Sequence, residues 1–308
     1  MIPSQNTSTV LLFHAELQTP DSASLAAHST DQTDATLYRT FLDSRPQKLE
    51  TDAISLITAL QLKYPNLRCH IVHLSASSAL PLIRSAKSMG LNLTVETCFH
   101  YLCLSTNDIP LGRPEFKCCP PIREPTNQEL LWEGLTTGLI DCIVSDHSPC
   151  VAELKNFVNG DIMSAWGGIS TLGLGLSLLW TEGKKRGVGI SQIIDWTSRK
   201  TAEHAGLGHL KGQLKVGLDG DFIIWDPNAE FTVCLEFSQS CAELIHGSGY
   251  SGFPELQEQS ITIRRTCTAW SGREDIPSWL LDIRERFEST VRRLSPSWAV
   301  IVIKALCR

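Results

Sequence analysis

His14, His73 and Asp146 each stand at the end of an apolar run. Val10-Leu11-Leu12-Phe13 leads to His14, Cys69-His70-Ile71-Val72 leads to His73, and Ile140-Asp141-Cys142-Ile143-Val144 leads through Ser145 to Asp146. Imidazole nitrogens and carboxylate oxygens are ordinary zinc ligands. In a βα barrel the C-terminal ends of the strands form one active face, so residues at those ends can converge on one ion. A lone strand-end histidine is more often hydrogen-bonded structure than a ligand. His70 illustrates this, because strand alternation puts it and His73 on opposite faces. The repetition at three run ends is what makes the set a candidate metal site. The eleven cysteines are odd in number and form no C-x-x-C pair. They read as reduced, mostly buried thiols of an intracellular protein and argue against a cysteine zinc site.

Helical patterns lie between these runs. Glu50 to Lys63 carries Ile54, Ile57, Leu60 and, more weakly, Leu56 at helical spacing, and Pro65-Asn66 ends it. Ser78 to Met89 has Leu80, Ile83 and Ala86 on one side, with Gly90 as a C-cap. Thr126 and Glu129 have the spacing of a capping box, and further helices are expected over Ser164 to Trp180 and Ser191 to Ala205. Leu91 to Val95 reads as one more strand. Alternating strands and helices with near-continuous apolar strands predict an α/β fold on a parallel sheet, either a βα barrel or a doubly wound sheet. About four strands precede Ala205, whereas a complete barrel needs eight. The expectation is therefore an incomplete (β/α)8 TIM-type barrel, its C-terminal half, over residues 1–211. Beyond it, Gly212 to Gly217 and Asp221 to Asp226 read as two short strands around Asp219-Gly220. Residues 247–308 lose the apolar periodicity and are expected to form a divergent, poorly packed tail.

The chain has 308 residues, 42% of them hydrophobic, enough for one large core or two smaller ones. A net charge of -6 and the lack of a Lys/Arg-rich block give no electrostatic case for nucleic acid. No apolar run reaches membrane-spanning length, and Met1 to Asn6 has neither the basic start nor the apolar core of a secretory signal. An intracellular, cytoplasmic protein is expected.

Longer stretches resemble a known family. His70-Ile71-Val72-His73-Leu74-Ser75 resembles the segment that carries the last histidine ligand of the cyclic amidohydrolases. Glu96-Thr97-Cys98-Phe99-His100-Tyr101 is similar to their following strand and loop. Lys117-Cys118-Cys119-Pro120-Pro121-Ile122-Arg123 resembles their Ser-Pro-Pro-(aliphatic)-Arg loop, with Cys119 in place of serine. Asp141 to Pro149 resembles the loop that supplies their aspartate. Ile162-Met163-Ser164-Ala165-Trp166-Gly167-Gly168-Ile169 is similar to a segment characteristic of the allantoinases, and Lys211 to Phe222 to the return into a small β-sandwich, here a partial one over 212–246.

The resemblance implies a binuclear zinc site in which His14 and His73 are two ligands of one metal and Asp146 is the ligand that also moves the proton. It implies a small-molecule substrate, allantoin, opened to allantoate and held through the backbone near Cys119 and Gly168. The family also draws on a His-x-His pair and a bridging lysine. No His-x-His occurs in this sequence, and its first lysine is Lys48. The chain is therefore expected to be N-terminally truncated, to bind zinc weakly and to turn over little substrate alone. Open sheet edges make a homo-oligomer an expectation as well. Two alternatives stand beside this one: a dihydropyrimidinase- or dihydroorotase-like hydrolase, and a non-catalytic interaction protein.

Overall fold

The computed structural model describes residues 9–21, 34–171, 173–225 and 227–228, with strand stretches at 231–232, 262–263, 266–270 and 299–301. The described residues fall into two compact units, one ending at Gly175 and the other beginning at Leu176.

In the first unit, β1 (Val10–His14), β2 (Arg68–Val72), β3 (Leu93–Cys98) and β4 (Cys142–Val144) form a parallel sheet in sequence order. Helices α1 (Tyr38–Ser44) and α2 (Lys48–Lys63) lie between the first two strands, and α3 (Leu80–Ser88) between the next two. Helices α4 (Phe99–Cys103) and α5 (Pro125–Thr136) precede β4. The parallel α/β architecture thus agrees with the apolar runs.

The register explains which side chains meet. Cα partners of a parallel pair point to the same side, and successive residues alternate. Cys69, Ile71, Leu93, Val95 and Ile143 share one face, and all are buried. Ile54 and Ile57 of α2 and Ile83 of α3 are buried with them, and both helices contact the sheet. Fully burying each such side chain stabilises the fold by about 1.5–3 kcal/mol, so this layer is the main adhesive of the unit. The opposite face carries Leu12, His70, Thr94, Glu96 and Cys142, and Leu12 is 60% exposed. His70 Nδ1 meets Thr94 Oγ1 at 2.7 Å and its Nε2 meets Glu96 Oε2 at 3.0 Å, so this ring is built into the sheet.

Four local expectations need correction. On α2, Leu56 and Leu60 are exposed, while Glu50 and Gln61 are buried with Ile54 and Ile57. Positions 54, 57 and 61 follow one helical stripe and residue 60 falls about a third of a turn off it. Gln61 uses its place to donate to the carbonyls of Leu67 and Asn92. The capping box at Thr126 does not form: α5 starts at Pro125, whose fixed φ suits the first helical position. The helix expected from Ser164 begins only at Gly175, because residues 161–171 are drawn into loop contacts, among them Gly168 N to Lys117 O at 2.8 Å. Gly212 to Gly217 is not a strand. Both glycines have positive φ, 95° and 92°, which a strand does not admit, and Lys211 closes the loop by pairing with Asp219 and Asp221.

In the second unit, α6 (Gly175–Lys185) is followed by α7 (Ile190–Ile194), which runs through a π-helical turn, Asp195–Arg199, into α8 (Lys200–His204). Strand β5 (Phe222–Trp225) pairs antiparallel with β8 (Thr266–Trp270) and β9 (Ala299–Ile301), and β6 (Phe231–Thr232) pairs with β7 (Thr262–Ile263). Most of the expected loose tail lies outside the described residues. Among the described residues, no helix is long and apolar enough to cross a membrane.

One buried ion pair organises the loops at the strand ends. Arg123 Nη2 lies 2.9 Å from Glu50 Oε1, and both side chains are 2% exposed. Glu50 Oε2 accepts from the amides of Ser75 (2.9 Å) and Ala76 (3.1 Å), just past His73. Arg123 Nη1 donates to Arg45 O at 3.2 Å. Replacing Glu50 by Ala strands a guanidinium out of water, and urea denaturation should register a loss of about 3–5 kcal/mol. The Glu50→Leu, Arg123→Met double variant should lose less than the two single variants summed. Additive losses would mean that the two groups do not interact.

Candidate metal centre

His14 is the last residue of β1 and His73 the first residue past β2. Their rings meet edge to face, with His14 Nδ1 3.0 Å from His73 Nε2. Alternation alone would aim His73 away from His14, whose Cα partner is Val72. The strand stops at Val72, however, and His73 takes a left-handed backbone, φ 42°. Asp146, two residues beyond β4, is left-handed as well, φ 45°. Left-handed backbone costs a non-glycine residue of order 1–3 kcal/mol, and such strain clusters at functional sites.

Sequence reasoning did not find the residues that orient this pair. His14 Nε2 lies 2.8 Å from Glu16 Oε2, and Glu16 Oε1 accepts from Arg45 Nε at 3.1 Å. Burial pushes the Glu16 pKa up, but the hydrogen bonds and charges of His14 and Arg45 outweigh it and hold it at about 2. The carboxylate is therefore ionised and takes the Nε2–H of His14, which leaves the Nδ1 lone pair facing His73. The signal was available as His14-x-Glu16, which puts both residues on one side of an extended chain.

Asp146 and His73 sense each other electrostatically. Burial lowers the His73 pKa, and the nearby His14 adds to this while Asp146 opposes it. His73 is thus kept neutral and able to ligate. Burial likewise raises the Asp146 pKa against the favourable pull of His73. His100 enters here, although the sequence had singled it out only within a motif. It is the second residue of α4, which follows β3 directly. Ligand atoms of Cys98, His100 and Asp146 all lie within 4.8 Å of one another. Burial drops the His100 pKa to about 3, with the charge of His73 contributing.

This donor set fits a divalent cation. Two nitrogens on one zinc at about 2.0–2.1 Å sit roughly 3.3 Å apart, close to the 3.0 Å between His14 and His73. A cation held between the rings would replace the proton they now share. Among the described residues, His73 Nδ1 and both nitrogens of His100 are buried without a hydrogen-bond partner, as expected of rings whose ligand is something other than protein.

Cys119 and Gly168 lie on neighbouring loops, joined by the Gly168 N to Lys117 O bond. The Cys119–Pro120 peptide is cis. A Cβ on Gly167 would stand 3.0 Å from Cys119 Sγ, and one on Gly168 would stand 2.5 Å from Ser148 O. Glycine at 168 is thus required by close backbone approach. Burial raises the Cys119 pKa, which makes the thiol a poor nucleophile, and the charges of Arg45 and Glu16 act on it in opposite directions.

The Amidohydrolase family pattern matches residues 28–247. The chain is similar to the mitochondrial allantoinase of Aquarana catesbeiana, 49% identical over 211 residues, 68% of this chain and 42% of that protein. It is also similar to the allantoinase of Saccharomyces cerevisiae, 44% identical over 223 residues, 71% of this chain and 46% of that one. The chain spans about half the length of the curated relatives it matches. Among solved structures it resembles L-hydantoinase (dihydropyrimidinase) from Arthrobacter aurescens, with 27% identity and a TM-score of 0.66 over 73% of this chain and 50% of that one.

Glu16 gives the arrangement its test. Isothermal titration of Glu16→Gln with zinc should show affinity about 10–100-fold below that of the unaltered chain, because His14 loses its orienting acceptor. Affinity unchanged in Glu16→Gln, or retained in His14→Ala, would remove these residues from the site.

Proposed function

The chain belongs to the amidohydrolase family, and from that premise we propose that it carries the C-terminal half of the catalytic machinery for opening the hydantoin ring of allantoin to allantoate. The observation that carries this reading is the contact between His14 and His73 at parallel strand ends, with Asp146 two residues past the end of β4 in the same sheet. The likeness to proteins named allantoinase, at 44–49% identity for two of them, supports the substrate. The likeness to a hydantoinase structure supports a (β/α)8 barrel as the complete frame, with residues 1–211 as its second half.

The donors suit zinc, which His14 and His73 would hold with Asp146 beside them. Bound there, the metal would polarise the scissile amide and acidify a water. Asp146 accepts the proton of that water on a carboxylate oxygen. As the water oxygen bonds to the ring carbonyl carbon and the ring C–N bond breaks, Asp146 returns the proton to the departing nitrogen. Burial raises its proton affinity, which favours the first of these transfers. His73 stays neutral throughout, and Glu16 keeps His14 in one tautomer. The loops at Cys119 and Gly168 hold the ring through backbone groups, which tolerates cysteine where relatives carry serine.

The test is elemental analysis for zinc and an assay of allantoin opening, on the chain alone and on the chain fused behind the leading half of the Saccharomyces cerevisiae relative. Alone, it should hold zinc weakly and turn over negligibly. The fusion should open allantoin, and Asp146→Asn should abolish that activity. A fusion that opens hydantoin or a dihydropyrimidine but not allantoin would overturn the substrate. Two zinc ions and normal turnover in the chain alone would mean that other residues complete the site.

A further inference from the structure

Lys155 ends a short 3-10 turn, Ala152–Lys155, in the loop between β4 and α6, and it is buried. Among the described residues its ammonium makes no ion pair. It is aimed instead at four main-chain carbonyls: Gly168 O at 2.6 Å, Trp166 O at 3.0 Å, Lys117 O at 3.3 Å and Glu115 O at 3.5 Å. A buried charge must be met by polar partners, and here carbonyl dipoles provide them. Burial lowers the Lys155 pKa, with the neighbouring Cys150, Cys118 and Glu115 working in the other direction.

The four carbonyls belong to two loops. Glu115 and Lys117 lead into Cys118-Cys119-Pro120, and Trp166 and Gly168 bracket Gly167. In a planar trans peptide the C=O and the following N–H point in opposite directions. Aiming the carbonyls of Lys117, Trp166 and Gly168 at one ammonium therefore turns the N–H groups of Cys118, Gly167 and Ile169 away from it. The same two loops touch where Gly167 faces Cys119 Sγ. We propose that Lys155 is a positioning residue: its ammonium fastens the Cys119 loop to the Gly168 loop and fixes which way their peptide groups face. Its value for holding a small cyclic amide rests on the function proposed above; the fastening itself does not.

The full chain and its Lys155→Met and Lys155→Arg variants are alkylated with iodoacetamide, and each cysteine is followed by mass spectrometry. Methionine keeps the length without the charge, and the rate per Cys119 thiolate, taken from a pH profile because the lost ammonium also raises the thiol pKa, should rise about tenfold as the loops open locally. Cys69, Cys98 and Cys142, buried in the sheet, should keep their rates. Arginine keeps the charge but cannot aim a planar group at four carbonyls, so its Cys119 rate should fall between the other two. If Lys155→Met does not fold, the arginine variant carries the test. An unchanged Cys119 rate, or an equal rise at all four cysteines, would overturn the proposal, the latter marking a merely structural role. In parallel, Lys155→Met placed in the fusion described above should raise the KM for allantoin. Failure of the unaltered fusion to open allantoin would count against the proposed function, while the Cys119 rates still decide on Lys155.

Discussion

The pairing of Arg123 with Glu50 is the contact on which the rest of the site depends. Its carboxylate holds the amides of Ser75 and Ala76, and so sets the path of the chain leaving His73. Its guanidinium holds the carbonyl of Arg45, whose side chain grips Glu16, which in turn holds His14. Both imidazoles thus take their direction from one interaction that neither touches. As a source of stability the pair is a poor choice. Desolvating two charges costs several kcal/mol per ion, and among the described residues Arg123 Nε is left buried without a partner. Two apolar side chains could join helix to loop without that cost. They could not direct two amides and a carbonyl.

Much of the frame was legible in the sequence. Apolar runs and helical stripes gave the four parallel strands and the buried residues Leu80, Ile83 and Ala86 of α3, because both depend on local periodicity. The elements that failed were those settled by distant partners. Gln61 is buried because two carbonyls from other segments need a donor, and residues 161–171 leave helix for contacts with a loop more than forty residues away. His14, His73 and Asp146 were legible as strand-end donors, and the structure brings His14 against His73. Glu16 was legible only as the spacing His14-x-Glu16 and His100 only as part of a motif, while Arg45 was not legible at all, because it reaches the site through the fold.

The two faces of the sheet divide the work. One is packed by helices through mostly apolar side chains. The other carries His70, Thr94, Glu96 and Cys142, polar groups joined to one another from strand to strand, with Leu12 exposed beside them. A parallel sheet is normally covered on both sides. A face this polar suits the lined interior of a closed barrel, which agrees with the family and with the half-length match to its members.

The order of the strands also sets how far apart in the chain the joined residues lie. His70 and Thr94, which join β2 to β3, are 24 residues apart, whereas His14 and His73 are 59 apart and Glu50 and Arg123 are 73 apart. Closing the longer loop of His14 and His73 costs about 0.8 kcal/mol more entropy than closing that of His70 and Thr94. The contact between His14 and His73 is therefore the costlier of the two to close, and it ties edge strand β1 to the rest of the sheet. His14, His73 and Asp146 belong to three different strand ends and come together only in the assembled sheet. An ion that binds them recognises the finished chain and no earlier state, and by mass action it draws the population toward that finished state.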